Sequence, residues 1–395
     1  MPERTPETPE TPENEALKTT RIVAGQKPRR KIRRIEIVAI AAVVTLIGAG
    51  AAVASVYAGN QNAGTAIAST SPAETLKLGY FANVTHAPAL IGVQNGILAK
   101  NLGPTKLTTQ VFNAGPSAIE ALNAGAIDAA YLGPNPAINS FAKSGGESIR
   151  IIAGATSGGA QLVVKPDITT PAQLKGKVLA TPQLGGTQDV ALRSWLAGQG
   201  FTTTPSGGGD VTINPTDNAG TLKLFQDGKL DGAWLPEPWA SRLVLEAGAK
   251  VLVNEADLWD KGEFSTTILV VNKSFLEQHP QTVAALLAGH VESIEWLNTH
   301  KNGAGADSDA AAVNAALTAS AGKALPDAVI ERSLSQLTFS ADPLAATFPT
   351  LLEHGIKAGV STQANLSGIF DLHELNTILA KNGKAAVSAG GLGTQ

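Results

Sequence analysis

Short apolar runs alternate with longer amphipathic stretches along the chain from Leu76 onward. Runs such as LKLGYF, KLTTQVFN and AIDAAYLG are typical of strands, whereas APALIGVQNGILAK and PSAIEALNAG repeat their apolar positions at helical spacing. The alternation begins again at KVLATP and continues through LDGAWL and EPWASRLVLEAG. Strands that alternate with helices predict an α/β protein with mostly parallel sheets covered on both faces.

Two α/β units of this kind predict two lobes that face each other across a ligand cleft. We expect the first lobe to take residues 75–166 and to be completed by residues 263–385, which carry the C-terminal helices. The second lobe takes residues 167–262, and the extended segment GEFSTTILVVNK returns the chain to the first sheet. Residues 386–395 are expected to form a flexible tail.

The two units share a short internal echo, ALNAGAIDAAYLGPNPA in the first and LFQDGKLDGAWLPEPWA in the second. Each phrase runs from a helix end through Gly, an apolar residue and Asp into a short strand and a Pro-X-Pro turn. The shared order predicts equivalent turns that point at one cleft from opposite sides.

The apolar segment Ile35–Tyr57 is almost uncharged and directly follows the basic cluster KPRRKIRR. It is long enough to span a bilayer as a helix, and the basic cluster predicts a cytoplasmic N-terminus. We therefore expect a disordered basic cytoplasmic leader at residues 1–34, a transmembrane anchor or signal segment at 35–58 and a linker at 59–74. Small residues at Ala52-Val53-Ala54 and at Val56-Tyr57-Ala58 leave cleavage open. Either way, the body is expected to work outside the cytoplasm.

Composition narrows the classes of protein to consider. The chain is 43% hydrophobic and 16% charged, which is typical of a globular body, and its net charge is -3. A surface of this charge argues against nucleic acid as a partner.

The chain has no cysteine, which excludes disulfides, thiolate metal sites, thiol nucleophiles and a lipidated cysteine. The six histidines form no metal-ligand pattern, and no GxSxG elbow or P-loop occurs, so we predict neither an enzyme nor a cofactor.

The segment TPQLGGTQDVALRSWL is the most specific local signal for a binding site. A strand is predicted to end at Thr181, Gly185 and Gly186 allow a tight turn, and Thr187 can cap the helix that starts at Gln188. Unpaired N–H groups at a helix start favour an anion, so this turn could hold a small oxyanion without a lysine. The alternative is a capped strand-to-helix turn that binds no ligand.

Other predicted strand ends add candidate ligand residues of several kinds. They are Asn83, Thr85, His86, Gly115, Pro116, Ser117, Gly133, Asn135, Glu237 and Trp239. His86 could donate a hydrogen bond to an anion or become partly charged in its field, although a lone histidine is more often a packed side chain. Trp239 could pack an alkyl chain, and Glu237 could bind a cation or cap the following helix.

Four phrases, THAPALIGVQNGIL, ALNAGAIDAAYLGPNPA, GGTQDVALRSWL and LDGAWLPEPWASRLV, resemble the extracytoplasmic solute-binding proteins of ABC importers for aliphatic sulfonates, nitrate and taurine. The resemblance extends from about Leu76 to Lys381. It implies a type II periplasmic-binding-protein fold, in which two hinged α/β lobes close on a ligand and deliver it to a permease and its ATPase. The family's ligand turns fall on Asn83 to His86, Gly115 to Ser117, Gly133 to Asn135, Gly185 to Gln188 and Glu237 to Trp239.

The resemblance leads us to expect a monomeric body that captures a small oxyanion, with an aliphatic sulfonate such as an alkanesulfonate or taurine first. Nitrate, bicarbonate and a thiamine-type heterocycle are alternative solutes. An enzyme or a membrane-tethered sensor on the same two-lobed fold is the rival function. Many members carry a cleavable signal or a lipidated cysteine, and this chain departs from them in its long leader.

Overall fold

A computed structural model describes residues 71–301, 303, 305 and 308–395 of the chain. The leader, the segment Ile35–Tyr57 and most of the linker lie outside the described residues. Among the residues that are described, no helix is both long and apolar enough to cross a membrane.

The strands and helices alternate through most of the chain, as the hydrophobic pattern predicts. The strands are β1 (Thr75–Phe81), β2 (Lys106–Phe112), β3 (Ala129–Leu132), β4 (Ile149–Gly158), β5 (Ala160–Val164), β6 (Val178–Thr181), β7 (Thr212–Pro215), β8 (Gly232–Pro236), β9 (Lys250–Asn254), β10 (Ser265–Asn272), β11 (Leu337–Phe339), β12 (Phe370–Asp371) and β13 (Gly393–Thr394). The helices are α1 (Ala87–Gln94), α2 (Ile97–Leu102), α3 (Gly115–Asn123), α4 (Pro134–Lys143), α5 (Thr187–Gly198), α6 (Asn218–Gln226), α7 (Trp239–Ala247), α8 (Lys273–Gln278), α9 (Pro280–Thr299), α10 (Asp309–Ala321), α11 (Asp327–Ser335), α12 (Phe348–Lys357) and α13 (His373–Lys381).

Two sheets form the centres of two lobes. The first sheet has the order β13-β12-β4-β10-β3-β1-β2, with β11 also paired to β4, and the second has the order β7-β6-β8-β5-β9. Both sheets are mixed, because β10 runs antiparallel to β3 and β4, and β5 runs antiparallel to β8 and β9. The expected α/β architecture is confirmed, but the expectation of mostly parallel sheets is met only in part, because the returning segment forms β10 at the centre of the first sheet and β5 reverses direction in the second.

Each lobe buries apolar side chains on both faces of its sheet. In the second lobe, Leu162 and Trp234 pack on one face, while their neighbours Val163 and Leu235 pack on the other. This alternation follows from the two-residue period of a strand, and it explains why these strands read as continuous apolar runs.

The chain leaves the first sheet at Gly158 and Gly159, which join β4 directly to β5. Both glycines have positive φ angles, 81° and 72°, and a Cβ on Gly158 would lie 2.5 Å from the carbonyl oxygen of Gln336. The predicted boundary after residue 166 is therefore wrong by one strand, since β5 pairs in the second sheet. The residues 156–159, TSGG, interrupt the apolar run and mark this crossing in the sequence.

The last residues also differ from the prediction of a flexible tail at 386–395. Gly393 and Thr394 form β13, which pairs in parallel with β12, and Ala389 is fully buried. A two-residue strand held mainly by backbone hydrogen bonds leaves no hydrophobic period that the sequence could reveal.

Candidate functional site

A small cavity of about 30 Å³ lies where the strand ends of the two lobes meet. That volume holds about two or three water-sized groups, the dimensions of a small oxyanion head. Eight of the predicted site residues line it: Asn83, Thr85, His86, Gly115, Gly133, Gly186, Thr187 and Gln188. The structure thus brings together four of the five turns that the sequence singles out.

Three helices begin at this cavity. Helices α3 and α4 of the first lobe and α5 of the second start at Gly115, Pro134 and Thr187, and no side chain caps any of them by a hydrogen bond. First-turn N–H groups have no partner inside a helix, and the helix dipoles place partial positive charge at these ends. An anion in the cavity is therefore stabilised without a charged side chain.

Buried polar atoms without a partner provide a second, independent signal for a ligand. Four line the cavity: Thr187 Oγ1, Thr267 Oγ1, Gln183 Oε1 and Asn218 Oδ1. A buried polar group that lacks a hydrogen bond costs about 1–3 kcal/mol, so four together in one cavity are unusual. They come from both lobes, and the two hydroxyls can donate to an oxyanion.

His86 faces the cavity as a neutral donor. Its Nδ1 accepts a hydrogen bond from the Phe81 N–H at 3.3 Å, which leaves the ring proton on Nε2. Burial lowers the pKa of His86 to about 3, so the ring is neutral in the ligand-free protein at neutral pH. That the field of a bound anion partly charges it stays a prediction. The ring packs on Phe81 with centroids 4.2 Å apart.

Trp239 lies beside the small cavity and does not line it. Its Nε1–H donates to Asn83 Oδ1 at 2.8 Å, a hydrogen bond that links α7 to the turn after β1. The indole instead lines an adjacent chamber of about 290 Å³, which shares Asn83, Asn113 and Asn218 with the cavity. Trp239 therefore fixes a cavity residue and borders the space next to the oxyanion position.

The structure does not place Glu237 in the cavity, where the sequence predicts a ligand contact. Its carboxylate is fully buried and does not line the cavity. Its Oε2 accepts from the Ser241 N–H at 3.0 Å and from the Ser333 hydroxyl at 3.1 Å, and its Oε1 accepts from Arg332 Nη1 at 3.0 Å. The alternative prediction, that Glu237 caps the following helix, is the one that its geometry supports.

Four other predicted residues stay outside the cavity. The Ser117 hydroxyl donates to the Ala114 carbonyl at 3.0 Å, and Asn135 Nδ2 donates to the Leu351 carbonyl at 3.0 Å. Pro116 and Gly185 border a separate, open groove. The N–H of Gly186 is also unavailable, since it donates to the Gln183 carbonyl within the turn, which leaves the amides of Thr187 and Gln188 for a ligand.

The turn before α5 is held by a fully buried ion pair. Asp189 Oδ2 accepts from the Gly185 N–H and from Arg193 Nε, each at 2.9 Å, and its Oδ1 accepts from the Thr181 hydroxyl at 2.9 Å. Both charged side chains are 0% exposed. The pair thus fixes the turn that presents Thr187 to the cavity.

Sequence reasoning missed five polar residues that line the cavity: Asn113, Gln183, Asn218, Thr266 and Thr267. Asn113 follows β2 and Asn218 lies just beyond β7, so the rule that polar groups gather at carboxyl ends of strands would find both. Thr266 and Thr267 lie near the start of β10, and they reach the cavity only because this strand returns antiparallel. No local pattern predicts that return position.

Comparisons with known proteins agree with this architecture. The model of the NMT1-like family matches residues 69–313. The taurine-binding periplasmic protein of Escherichia coli (strain K12) is 27% identical over 210 residues, 52% of this chain and 62% of that protein. The bicarbonate-binding protein CmpA of Synechococcus is 24% identical over 259 residues, 60% of this chain and 56% of that protein. The matches thus span less than two thirds of these relatives.

A solved structure shows the same fold over more of the chain. The alkanesulfonate-binding protein SsuA from Xanthomonas axonopodis pv. citri, bound to MOPS, superposes with a TM-score of 0.62 at 22% identity. The match covers 74% of this chain and 96% of that protein. The predicted periplasmic-binding-protein fold is confirmed, and the chain belongs to the NMT1-like family.

Proposed function

We propose that the protein is the solute-binding component of an ABC importer and captures an aliphatic sulfonate outside the cytoplasmic membrane. The observation that carries the proposal is the cavity in which three uncapped helix starts meet four unpartnered polar atoms. A sulfonate presents three oxygen acceptors to the hydroxyls of Thr187 and Thr267 and to helix-start amides. The similar proteins named for taurine and alkanesulfonate support this choice of solute.

The mechanism that we propose is hinged closure. Both lobes contribute to the cavity, so a ligand there makes its full set of contacts only when the lobes are closed. The neutral His86 donates through Nε2, and its buried position keeps the site free of a fixed full charge. The closed, loaded protein then delivers the solute to a permease with its ATPase.

Bicarbonate is the second candidate solute, because CmpA is among the similar proteins and the cavity volume of about 30 Å³ suits a small inorganic anion. The adjacent chamber favours a ligand with an organic part, which bicarbonate lacks.

Thermal unfolding of the full-length protein with ethanesulfonate, taurine, nitrate, bicarbonate and a thiamine precursor tests the proposal. A bound solute raises the unfolding temperature by mass action, and we expect the sulfonates to do so. A shift with bicarbonate or nitrate alone would transfer the assignment to that anion. No shift with any oxyanion would reject the binding role.

We further propose that the segment Ile35–Tyr57 tethers the body to the outer face of the cytoplasmic membrane. The support is its length and the preceding cluster KPRRKIRR. Membrane fractionation of the expressed protein, with mass spectrometry of its N-terminus, distinguishes the two fates. An intact N-terminus in the membrane fraction supports the tether, whereas a mature chain that starts near Ala58 would show cleavage.

A further inference from the structure

The chamber beside the oxyanion cavity has a volume of about 290 Å³ and shares three asparagines with it, Asn83, Asn113 and Asn218. Under the proposed function, the sulfonate head occupies the small cavity. The rest of the ligand then extends past these asparagines, and the chemistry of the chamber determines what that part of the ligand carries.

Part of the chamber wall is apolar. Phe112 and the side chains of Leu317 and Leu325 line it together with the indole of Trp239. The hydrogen bond from Trp239 to Asn83 holds the indole in place, so this wall is preformed. Such a surface suits a short hydrocarbon chain.

Two positive side chains also line the chamber, Arg242 and Lys323. Arg242 lies over the Trp239 ring, 4.7 Å from its centroid, and its Nε and Nη2 each donate to Glu246 at 3.0 Å. Among the hydrogen bonds of the described residues, none uses Arg242 Nη1. Lys323 likewise forms no ion pair with any residue that the structure describes.

One negative side chain, Asp217, lines the chamber as well, and it caps the start of α6. Its Oδ1 accepts from the Gly220 N–H at 2.9 Å as the cap of α6, where the helix dipole favours a carboxylate. Lys323 has no ion-pair partner and Arg242 Nη1 has no hydrogen-bond partner among the described residues, so these are the donors in the chamber that a negatively charged group can engage.

We propose that the ligand carries a second acidic group, so that the preferred class is a sulfoalkanoate with a carboxylate at the far end of a short carbon chain. The carboxylate binds Lys323 and Arg242, while the sulfonate occupies the oxyanion cavity. The ammonium group of taurine would instead meet these two positive side chains, with Asp217, whose Oδ1 caps α6, as the one acid among the lining residues. Arg242 belongs to the second lobe, whereas Lys323 follows α10, whose Leu317 packs in the core of the first lobe. The second acid thus adds contacts that favour closure.

Calorimetry on the full-length protein tests this inference with three matched ligand series. Sulfoacetate and sulfopropionate carry the second acid, ethanesulfonate and propanesulfonate lack it, and taurine and homotaurine carry an ammonium group. We expect the sulfoalkanoates to bind about fivefold or more tightly than the alkanesulfonates, with the aminoalkanesulfonates weakest. Raising the salt concentration should narrow these differences, since the chamber is partly open to solvent.

The variant Lys323→Gln should lower sulfoalkanoate affinity about fivefold and leave alkanesulfonate affinity unchanged. Lys323 is exposed, so the fold tolerates the change, and Lys381→Gln, at the exposed last position of α13, is the matched control. Equal affinity for the three series, tightest binding of taurine, or an equal effect of Lys323→Gln on every ligand would overturn the inference while leaving the sulfonate site intact. Absence of binding by every sulfonate would overturn the proposed function itself, and this inference with it.

Discussion

Gly133 and Thr187 approach so closely across the cleft that a Cβ atom on Gly133 would overlap Thr187 Oγ1. Gly133 precedes α4 in the first lobe and Thr187 starts α5 in the second. The φ angle of Gly133 is -75°, a conformation open to any residue, so the backbone itself does not require glycine here. The need for a small residue arises only when the two lobes are closed.

Gly133→Ala should therefore leave the open protein folded and hinder its closure. The new Cβ would also lie 3.1 Å from Thr187 Cβ, so rotation of the threonine side chain does not fully relieve the overlap. We expect sulfonate affinity to fall about tenfold or more, because overpacking costs about 1–3 kcal/mol. Small-angle scattering with ligand should show a larger radius of gyration than for the unmodified protein. Gly198→Ala in α5, where a Cβ meets no atom within 4 Å, is the control, and equal affinity of the two variants would contradict this account.

Replacing the unpartnered hydroxyls should raise the stability of the ligand-free protein and lower its affinity for sulfonate. Thr187→Val and Thr267→Val each remove a buried hydroxyl that has no hydrogen-bond partner, so the free energy of unfolding without ligand should rise by about 1 kcal/mol. Sulfonate affinity, measured by calorimetry, should fall about tenfold for each.

Thr105→Val is the matched control for those variants. Its buried hydroxyl donates to the Ala73 carbonyl at 2.7 Å, away from the cavity, so the variant should lose about 1 kcal/mol and bind normally. If Thr187→Val also destabilised the protein and kept full affinity, the hydroxyl would have a structural role instead.

The buried pair Asp189 and Arg193 should be costly to break. Asp189→Asn leaves the guanidinium of Arg193 buried without its counter-charge, which should lower the free energy of unfolding by about 3–5 kcal/mol in urea. The double variant Asp189→Asn/Arg193→Leu should recover part of this loss, because it removes the uncompensated charge. A loss below about 1 kcal/mol for Asp189→Asn would show that the pair contributes little.

Glu255 should make stability depend on pH near neutrality. Burial raises the pKa of Glu255 to about 7 from 4.5, against the effect of a hydrogen bond from Trp234 Nε1 at 2.7 Å. Between these values the folded protein holds a proton that the unfolded chain releases, so the free energy of unfolding falls as the pH rises from 4.5 to about 7. The titration of Glu255 lowers the free energy of unfolding by about 3 kcal/mol in total over this pH range.

Glu255→Gln should remove this dependence and make the protein more stable than the unmodified chain above pH 7. The measurement is urea unfolding of both proteins from about pH 4.5 to pH 8, with the difference between them isolating Glu255. Parallel stability profiles would rule out a titration of this carboxyl near neutrality.

The sequence predicts the order of strands and helices because most of them carry their own apolar signal, a continuous run such as AAYL in β3 or a helical period such as that of α3. It also predicts the helix starts that line the cavity to within one residue, since Gly and Pro at strand-to-helix turns have local causes. The predicted cap is wrong, because Thr187 is the first residue of α5 and its side chain does not cap the helix. Contacts between segments that are far apart in the sequence cannot be predicted in this way. The carboxylate of Glu237 accepts a hydrogen bond from Arg332, which lies 95 positions away in the sequence. Nothing near Glu237 in the chain reveals that partner.

The internal echo shows one feature that the sequence predicts and one that it does not. Each phrase forms a strand followed by a helix, β3 with α4 and β8 with α7. Gly133 of the first turn lines the cavity, and so does Pro236 of the second, but Glu237 turns toward α11 instead. Equivalent backbone turns can thus be predicted from sequence, whereas the direction of each side chain depends on what the other elements pack against it.

Calorimetric titration of the full-length protein with ethanesulfonate, beside the double variant Thr187→Val/Thr267→Val, tests the central claim most directly. The account predicts saturable binding at one site for the unmodified protein, and a loss of that binding in a double variant that unfolds at an equal or higher temperature. Absence of binding by the unmodified protein, or equal affinity of the double variant, would contradict it.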